Sequence, residues 1–245
     1  MDITFDSYPY IASSTSMIIL FPGWVQDGGP TAMLERLADP NLRAKICAEL
    51  YASKPAWDRI VIACIGSEKN KIYLGQSLQE AADLAGKDVA QFACDLVVEE
   101  KLNAGHITFA GNEEDMQLIM QHPCHTVCSD GLLVDGKPNP RGWGAFARYL
   151  GHYCRELGVL SLEETVRRMT SASAQRLGLN DRGLIKQGMA ADLVVFDPHT
   201  VKDMATFAEP TKHPVGIEYV IVNGAVVVKE GKHTGVLNGR VLTRG

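Results

Sequence analysis

Asp130 closes a short β-favouring run, Thr126-Val127-Cys128-Ser129, and is followed by Gly131 and a loop rich in glycine, proline and asparagine, Asp135-Gly136-Lys137-Pro138-Asn139-Pro140-Arg141-Gly142-Trp143-Gly144. A carboxylate where a strand gives way to its loop sits at the catalytic face of an α/β barrel. There it can accept a proton from a metal-bound water and deliver it to a leaving group. An Asx-turn that stabilises the loop is the competing reading, and the local pattern does not separate the two. Arg141 lies in the Pro/Gly-rich loop and carries a guanidinium suited to bidentate capture of a carboxylate. A surface arginine is the alternative. Tyr8 and Ser14 could donate hydrogen bonds to a developing oxyanion, or could be a strand-ending aromatic and part of an ordinary Ser/Thr loop.

His122, Cys124, His125 and Cys128 are ligand types at short, irregular spacing. On a strand, 124 and 128 face one side and 125 the other. A four-ligand site would need a second ligand pair or a tight knuckle, and the sequence offers neither. Two buried thiols and two solvated imidazoles are expected instead. The sequence holds no Ser-His-Asp signature, no Gly-rich phosphate loop and no CxxC pair.

These residues need a scaffold, and 245 residues suit one large domain or a domain with an appendage. Such a chain can bury roughly 70–75% of its unfolded surface. Charged residues at 22% and hydrophobic residues at 46% are ordinary for a globular protein. A net charge of −5, with acidic and basic residues mixed along the chain, argues against nucleic acid as a partner. The longest apolar run, Met17 to Phe21, is too short to span a membrane. Six scattered cysteines with no signal peptide ahead of them are expected to be reduced, cytoplasmic and mostly buried.

Ile3-Thr4-Phe5 is β-favouring, and Pro9 should end that strand near Tyr8. Pro30 to Ala52 has helical spacing, with Met33, Leu34, Leu37, Leu42, Ile46 and Leu50 on one face, and Pro40 should divide it with Asp39 leading the second half. Arg59 to Ile65 reads as a buried strand. Ser77-Leu78-Gln79-Glu80 is a capping box, and Asp88 caps a helix striped by Val89, Phe92, Ala93, Leu96 and Val97. His106 to Ala110 is another strand, and Asn112 caps a helix with three acidic residues in its first turn. Phe146 to Leu157 and Leu162 to Leu177 read as helices, the second opened by a capping box at Ser161 and closed by Gly178. Beyond Asp181 the texture becomes short strands: Leu184-Ile185, Leu193 to Phe196, and a hairpin from Ile217 to Val228 turning at Asn223-Gly224. Alternating strands and helices followed by this tail give an α/β class with an appended β unit.

Four stretches carry a resemblance. They are Asp6-Ser7-Tyr8-Pro9-Tyr10 with Ala12-Ser13-Ser14-Thr15, Ser129-Asp130-Gly131 with its Gly-Lys-Pro-Asn-Pro-Arg loop, Leu177-Gly178-Leu179 through Asp192-Leu193-Val194-Val195-Phe196-Asp197, and Ile217 to Gly224. Together they resemble the C-terminal half of an N-acyl-D-amino-acid deacylase (D-aminoacylase) of the amidohydrolase superfamily. The Asp-Leu-Val-Val-Phe-Asp tail is common to many amidohydrolases, whereas the Tyr-Pro-Tyr and Pro-Arg elements are more specific to the D-amino-acid branch.

The resemblance implies a partial metal-dependent-hydrolase (β/α)8 barrel over residues 1–178, with an insertion at about 20–110, and a small β-sandwich over residues 179–245. It implies hydrolysis of the linear amide of N-acyl-D-amino acids with zinc as the cofactor. Asp130 falls on the metal-binding, proton-shuttling aspartate, Arg141 on the substrate-carboxylate arginine, and Tyr8 and Ser14 on substrate-contacting residues. Asn139 stands where a histidine is expected, and Trp143 where a tyrosine is. The family's histidine ligands map N-terminal to the Tyr-Pro-Tyr segment, and none falls in this sequence. The chain is therefore expected to be inactive alone or dependent on a complementing N-terminal chain or self-association. A non-catalytic fragment that binds a partner chain and a dihydroorotase- or hydantoinase-like cyclic amidase are the alternatives.

Overall fold

The computed structural model describes residues 3–243, so the expected domain limits at residues 1 and 245 lie outside the described residues. β1 (Phe5–Ser7) stops just short of Tyr8 and Pro9. β2 (Ala12–Ser16) follows at once, which corrects the expected Ser/Thr loop. Ser13 and Thr15 face outward while Ala12 is buried, a strand alternation that the short hydroxyl side chains conceal.

α1 (Gly23–Gln26) is a single turn. α2 (Gly29–Ala38) and α3 (Pro40–Ala52) divide at Asp39, whose Oδ1 accepts from the Asn41 and Leu42 amides at 2.8 and 3.0 Å. Pro40 occupies the first helical position, where a missing N–H costs nothing. Met33, Leu37, Ile46 and Leu50 are buried as expected; Leu42, in the first turn of α3, stays exposed, and Cys47 joins the core instead. β3 (Ile60–Cys64) leads to α4 (Leu78–Ala85), whose capping box is reciprocal. α5 (Val89–Glu99) buries the whole expected stripe. β4 (Gly105–Phe109) is the centre of a three-stranded antiparallel sheet ordered β2-β4-β3.

α6 (Glu113–Gln121) is capped by the Asn112 side chain and precedes β5 (His125–Val127), the parallel partner of β1. α7 (Arg141–Arg148) begins at Arg141 rather than Phe146 and runs on as a π-helical stretch, Tyr149–Glu156. Proline as the residue before Arg141 presets a helical φ, which a loop reading of the Pro/Gly content misses. The expected helix over 162–177 is two, α8 (Leu162–Met169) and α9 (Ser171–Leu177), broken where Thr170 leaves helical dihedrals at φ −127° and ψ −92°. Only half of its capping box forms: Ser161 Oγ accepts from the Glu164 amide at 3.2 Å, but the Glu164 carboxylate turns to Arg167 and Arg168.

β6 (Leu193–Phe196), β7 (Ile217–Val222), β8 (Ala225–Lys229) and β9 (Lys232–His233) form a four-stranded antiparallel meander. Positive φ at both Asn223 (46°) and Gly224 (83°) makes the expected type I′ turn between β7 and β8. Leu184-Ile185 is not a strand: both side chains are exposed and neither residue pairs in a sheet. Two buried cysteines, Cys47 and Cys94, and four half-buried ones correct the expectation of mostly buried thiols; all six are free. No helix among the described residues is long and apolar enough to cross a membrane.

The chain divides into two compact units. The first comprises residues 1–10, 112–131 and 140–245, and the second residues 11–111 and 132–139. The second holds the larger core, from Met17 and Phe21 through Ile62 to Leu96 and Val97. The first holds smaller clusters, one around Met120, Val127, Tyr149 and Tyr153 and another around Ala147, Leu150 and Val201.

Candidate active site

In the first unit, the pair β1–β5 and the start of α7 bring Tyr8, Asp130 and Arg141 together. The register Phe5↔His125, Asp6↔Thr126 and Ser7↔Val127 places both strand ends side by side. Beyond β5, Ser129 Oγ accepts from the Gly131 amide at 3.2 Å, so Ser129 rather than Asp130 makes the local turn. The Asp130 carboxylate leaves the turn and its Oδ2 meets Arg141 Nη2 at 3.0 Å, which decides against the Asx-turn reading. Asp130 sits at φ 44°, a left-handed conformation that aspartate tolerates better than most residues.

Close backbone approach sets this geometry. A Cβ on Gly131 would lie 2.6 Å from Gly142 Cα, so the turn and the first residues of α7 touch glycine to glycine. Arg141 thereby starts a helix whose positive N-terminal end disfavours a cation, and the Asp130 carboxylate compensates it. The Arg141 guanidinium also stacks over the Tyr8 ring at 4.3 Å. Its side chain is 4% exposed whereas that of Asp130 is 62% exposed, so the arginine is fixed and the carboxylate is open to ligands. Cys128 lies at the same strand end, where burial and a hydrogen bond with Asp6 push its thiol up to about 11. It is a poor nucleophile there.

Ser14 is not part of this cluster's unit; it lies in β2 of the second unit, paired with Ile107. Asn139 also belongs to the second unit, buried, with its side-chain amide donating to Ala12 O at 2.9 Å. That bond is structural and gives the expected histidine position a different use here.

The sequence reading of His122 and His125 as solvated holds for His122 only. His125 is 1% exposed, with Nε2 2.9 Å from Ser7 Oγ and Nδ1 3.3 Å from Arg168 Nη1. Burial first, and the Arg168 guanidinium second, bring its pKa down to about 4. Arg168, buried as well, also donates to the carbonyls of Met120 and His122 at the end of α6 and to Glu164. The burial of His125 and the role of Arg168 carry no clear signal in the sequence, because each is set by a partner far away in sequence. The only local signal was the position of His125 opposite Cys124 and Cys128 in the strand alternation.

The described residues contain no group of three or more histidine, cysteine, aspartate or glutamate side chains placed to hold a metal ion. Asp130 offers one open carboxylate, and a catalytic zinc takes about three protein ligands. The residues present do not by themselves make a zinc site.

The sequence profile of the amidohydrolase family matches residues 60–228, and the chain belongs to that family. Its relatives narrow the likeness. It is 46% identical over 168 residues to the D-aminoacylase of Alcaligenes xylosoxydans xylosoxydans, covering 66% of this chain and 35% of that protein. The crystal structure of a D-aminoacylase superposes with a TM-score of 0.74 at 38% identity, covering 98% of this chain and 43% of that one. The N-acyl-D-glutamate deacylase of Bordetella bronchiseptica, complexed with zinc and a phosphonate inhibitor, matches with a TM-score of 0.71 at 37% identity over 96% of this chain and 42% of that one. The chain thus spans about a third of the length of the curated relative and less than half of the solved chains.

Proposed function

We propose that this chain carries the leaving-group and substrate-carboxylate side of a deacylase that hydrolyses the linear amide of N-acyl-D-amino acids to a D-amino acid and a carboxylate. The carrying observation is the contact of Asp130 with Arg141 at 3.0 Å, the guanidinium lying over the Tyr8 ring, in a chain 46% identical to a D-aminoacylase. Arg141 binds the substrate carboxylate. That carboxylate competes with Asp130 for the guanidinium, so binding releases the Asp130 carboxylate to take the proton given up by the attacking water and pass it to the departing nitrogen. Tyr8 donates a hydrogen bond to the scissile carbonyl oxygen as negative charge develops there.

Zinc, supported by the zinc-bound B. bronchiseptica relative, would supply an activated water and polarise the carbonyl. Asp130 is this chain's ligand for it, and the other ligands come from outside the described residues. The same reasoning makes β1 and β5 strands of a partial (β/α)8 barrel, the segment at about 20–110 an insertion, and residues 179–245 a small β-sandwich domain. A three-residue parallel pair with no further strand beside it among the described residues is otherwise a weak structure. Its unpaired edges support a complementing N-terminal segment, and, as a second reading, a fragment whose role is to bind a partner chain. Six free thiols support a cytoplasmic location. The likeness to D-aminoacylase favours the linear amide over the cyclic substrates of a dihydroorotase-like enzyme.

Zinc content and N-acetyl-D-amino-acid hydrolysis, measured for the chain alone and with an N-terminal D-aminoacylase segment, test this reading. Zinc binding and turnover are expected only in the mixture. Robust turnover by the chain alone would show that its site is complete and refute the assignment of the remaining ligands to another segment.

A further inference from the structure

We propose that His125 is a positioning residue: held as the neutral Nε2–H tautomer by Arg168, it fixes β1 against β5 through Ser7 and so sets Tyr8 and Asp130 against Arg141. The inference rests on the reading of Tyr8 and Asp130 as site residues. A guanidinium can only donate, so the contact of Arg168 Nη1 with His125 Nδ1 at 3.3 Å makes Nδ1 the acceptor and puts the ring proton on Nε2. Nε2–H then donates to Ser7 Oγ at 2.9 Å. Tyr149 donates to the Ser7 carbonyl at 2.7 Å, so the Ser7 hydroxyl proton is directed to Met116 Sδ at 4.0 Å or to the Tyr149 oxygen at 3.4 Å. Every donor in this relay has an acceptor with one consistent set of directions, and the chain of bonds runs from α8 through β5 to β1.

Three residue pairs define the β1–β5 register, too few for the ladder alone to prevent slippage. The His125–Ser7 bond is a side-chain link across that pair, on its buried face. Ser7 is adjacent to Tyr8, and Val127, which Ser7 faces, leads through the Ser129 turn to Asp130. A one-residue slip would turn Ser7 away from His125 and carry Tyr8 off the Arg141 guanidinium. The relay therefore acts on the site without touching substrate.

The test is nuclear magnetic resonance of the full 245-residue chain. Imidazole nitrogen shifts of His125 should show a single neutral ring with Nδ1 unprotonated throughout pH 5–8. His125→Phe keeps a planar aromatic ring and removes both bonds, and it should displace the Tyr8 ring and Asp130 and Gly131 amide resonances while Val61 and Ile62 in the second unit stay in place. His125→Gln, which offers an oxygen to Arg168 and an N–H to Ser7, should restore most of the displacement. An Nδ1–H tautomer, or a folded His125→Phe chain with unmoved Tyr8 and Asp130 resonances, would overturn the proposal. If His125→Phe does not fold, Ser7→Ala removes the hydroxyl that accepts from His125 Nε2–H, together with its weaker contacts to Met116 and Tyr149, and is read the same way. Loss of hydrolysis in Asp130→Asn is measured separately, so the site reading can stand while this inference falls.

Discussion

Replacing Gly131 by alanine should loosen the turn that aims Asp130 at Arg141. The new Cβ would stand 2.6 Å from Gly142 Cα and 3.2 Å from Gly142 N. Carbon–carbon contacts settle at about 3.5–4.0 Å, so the overlap approaches ~1 Å. The atoms struck are backbone in the first turn of α7, which cannot rotate aside as a side chain could. Overpacking of this kind costs about 1–3 kcal/mol. A stability change of that size moves the melting point by about 2–4 °C per kcal/mol in a chain this long. Because the chain has two units, whole-chain melting can blur a local effect. Hydrogen exchange of the α7 amides is therefore the sharper assay, with faster exchange expected in Gly131→Ala. Gly239→Ala is the control, since no atom lies within 4 Å of its added Cβ and its φ is not positive. Wild-type exchange in α7 for Gly131→Ala would refute the close-approach argument.

Acid should weaken the first unit through His125. Its folded pKa lies near 4, below the unfolded value of about 6.5, so it contributes stability above pH 6.5 that is lost as pH falls towards 4. Arg168 and His122 oppose its protonation and Asp6 favours it; urea midpoints between pH 7 and pH 4 should fall in wild type and fall less in His125→Gln. Arg168→Leu strands the carbonyls of Met120 and His122 and the Nδ1 of His125, and should cost about 3 kcal/mol by urea unfolding. Arg167→Leu, whose partner Glu164 is at the surface, should cost less than about 1 kcal/mol. Asp39→Ala removes the acceptor for two amides at the start of α3 and should cost about 1 kcal/mol, read in the same assay on the second unit.

Much of the scaffold was legible because its signals are local. Asp39, Ser77, Asp88 and Asn112 cap the helices they precede, and Asn223-Gly224 turns the hairpin. The strand Ala12–Ser16 was hidden because serine and threonine mark loops as often as strands, and its identity is fixed by β4, far away in sequence. Thr170 breaks a helix whose apolar period continues through it, so periodicity could not show the break. In the site, Asp130 was found by its place after a strand, and its partner Arg141 by a motif. What the sequence withheld was direction: nothing local says that Ser129 makes the turn while Asp130 reaches for Arg141. His125 and Arg168 were withheld for the same reason, since burial and mutual contact define them.

The proposed role of Asp130 is tested most directly by hydrolysis of N-acetyl-D- and N-acetyl-L-amino acids with zinc, using the chain mixed with the N-terminal segment of a D-aminoacylase. Turnover of the D substrate alone, absent from the unmixed chain and lost in Asp130→Asn at unchanged stability, is the expected result. Turnover by the Asp130→Asn mixture at the wild-type rate would contradict it.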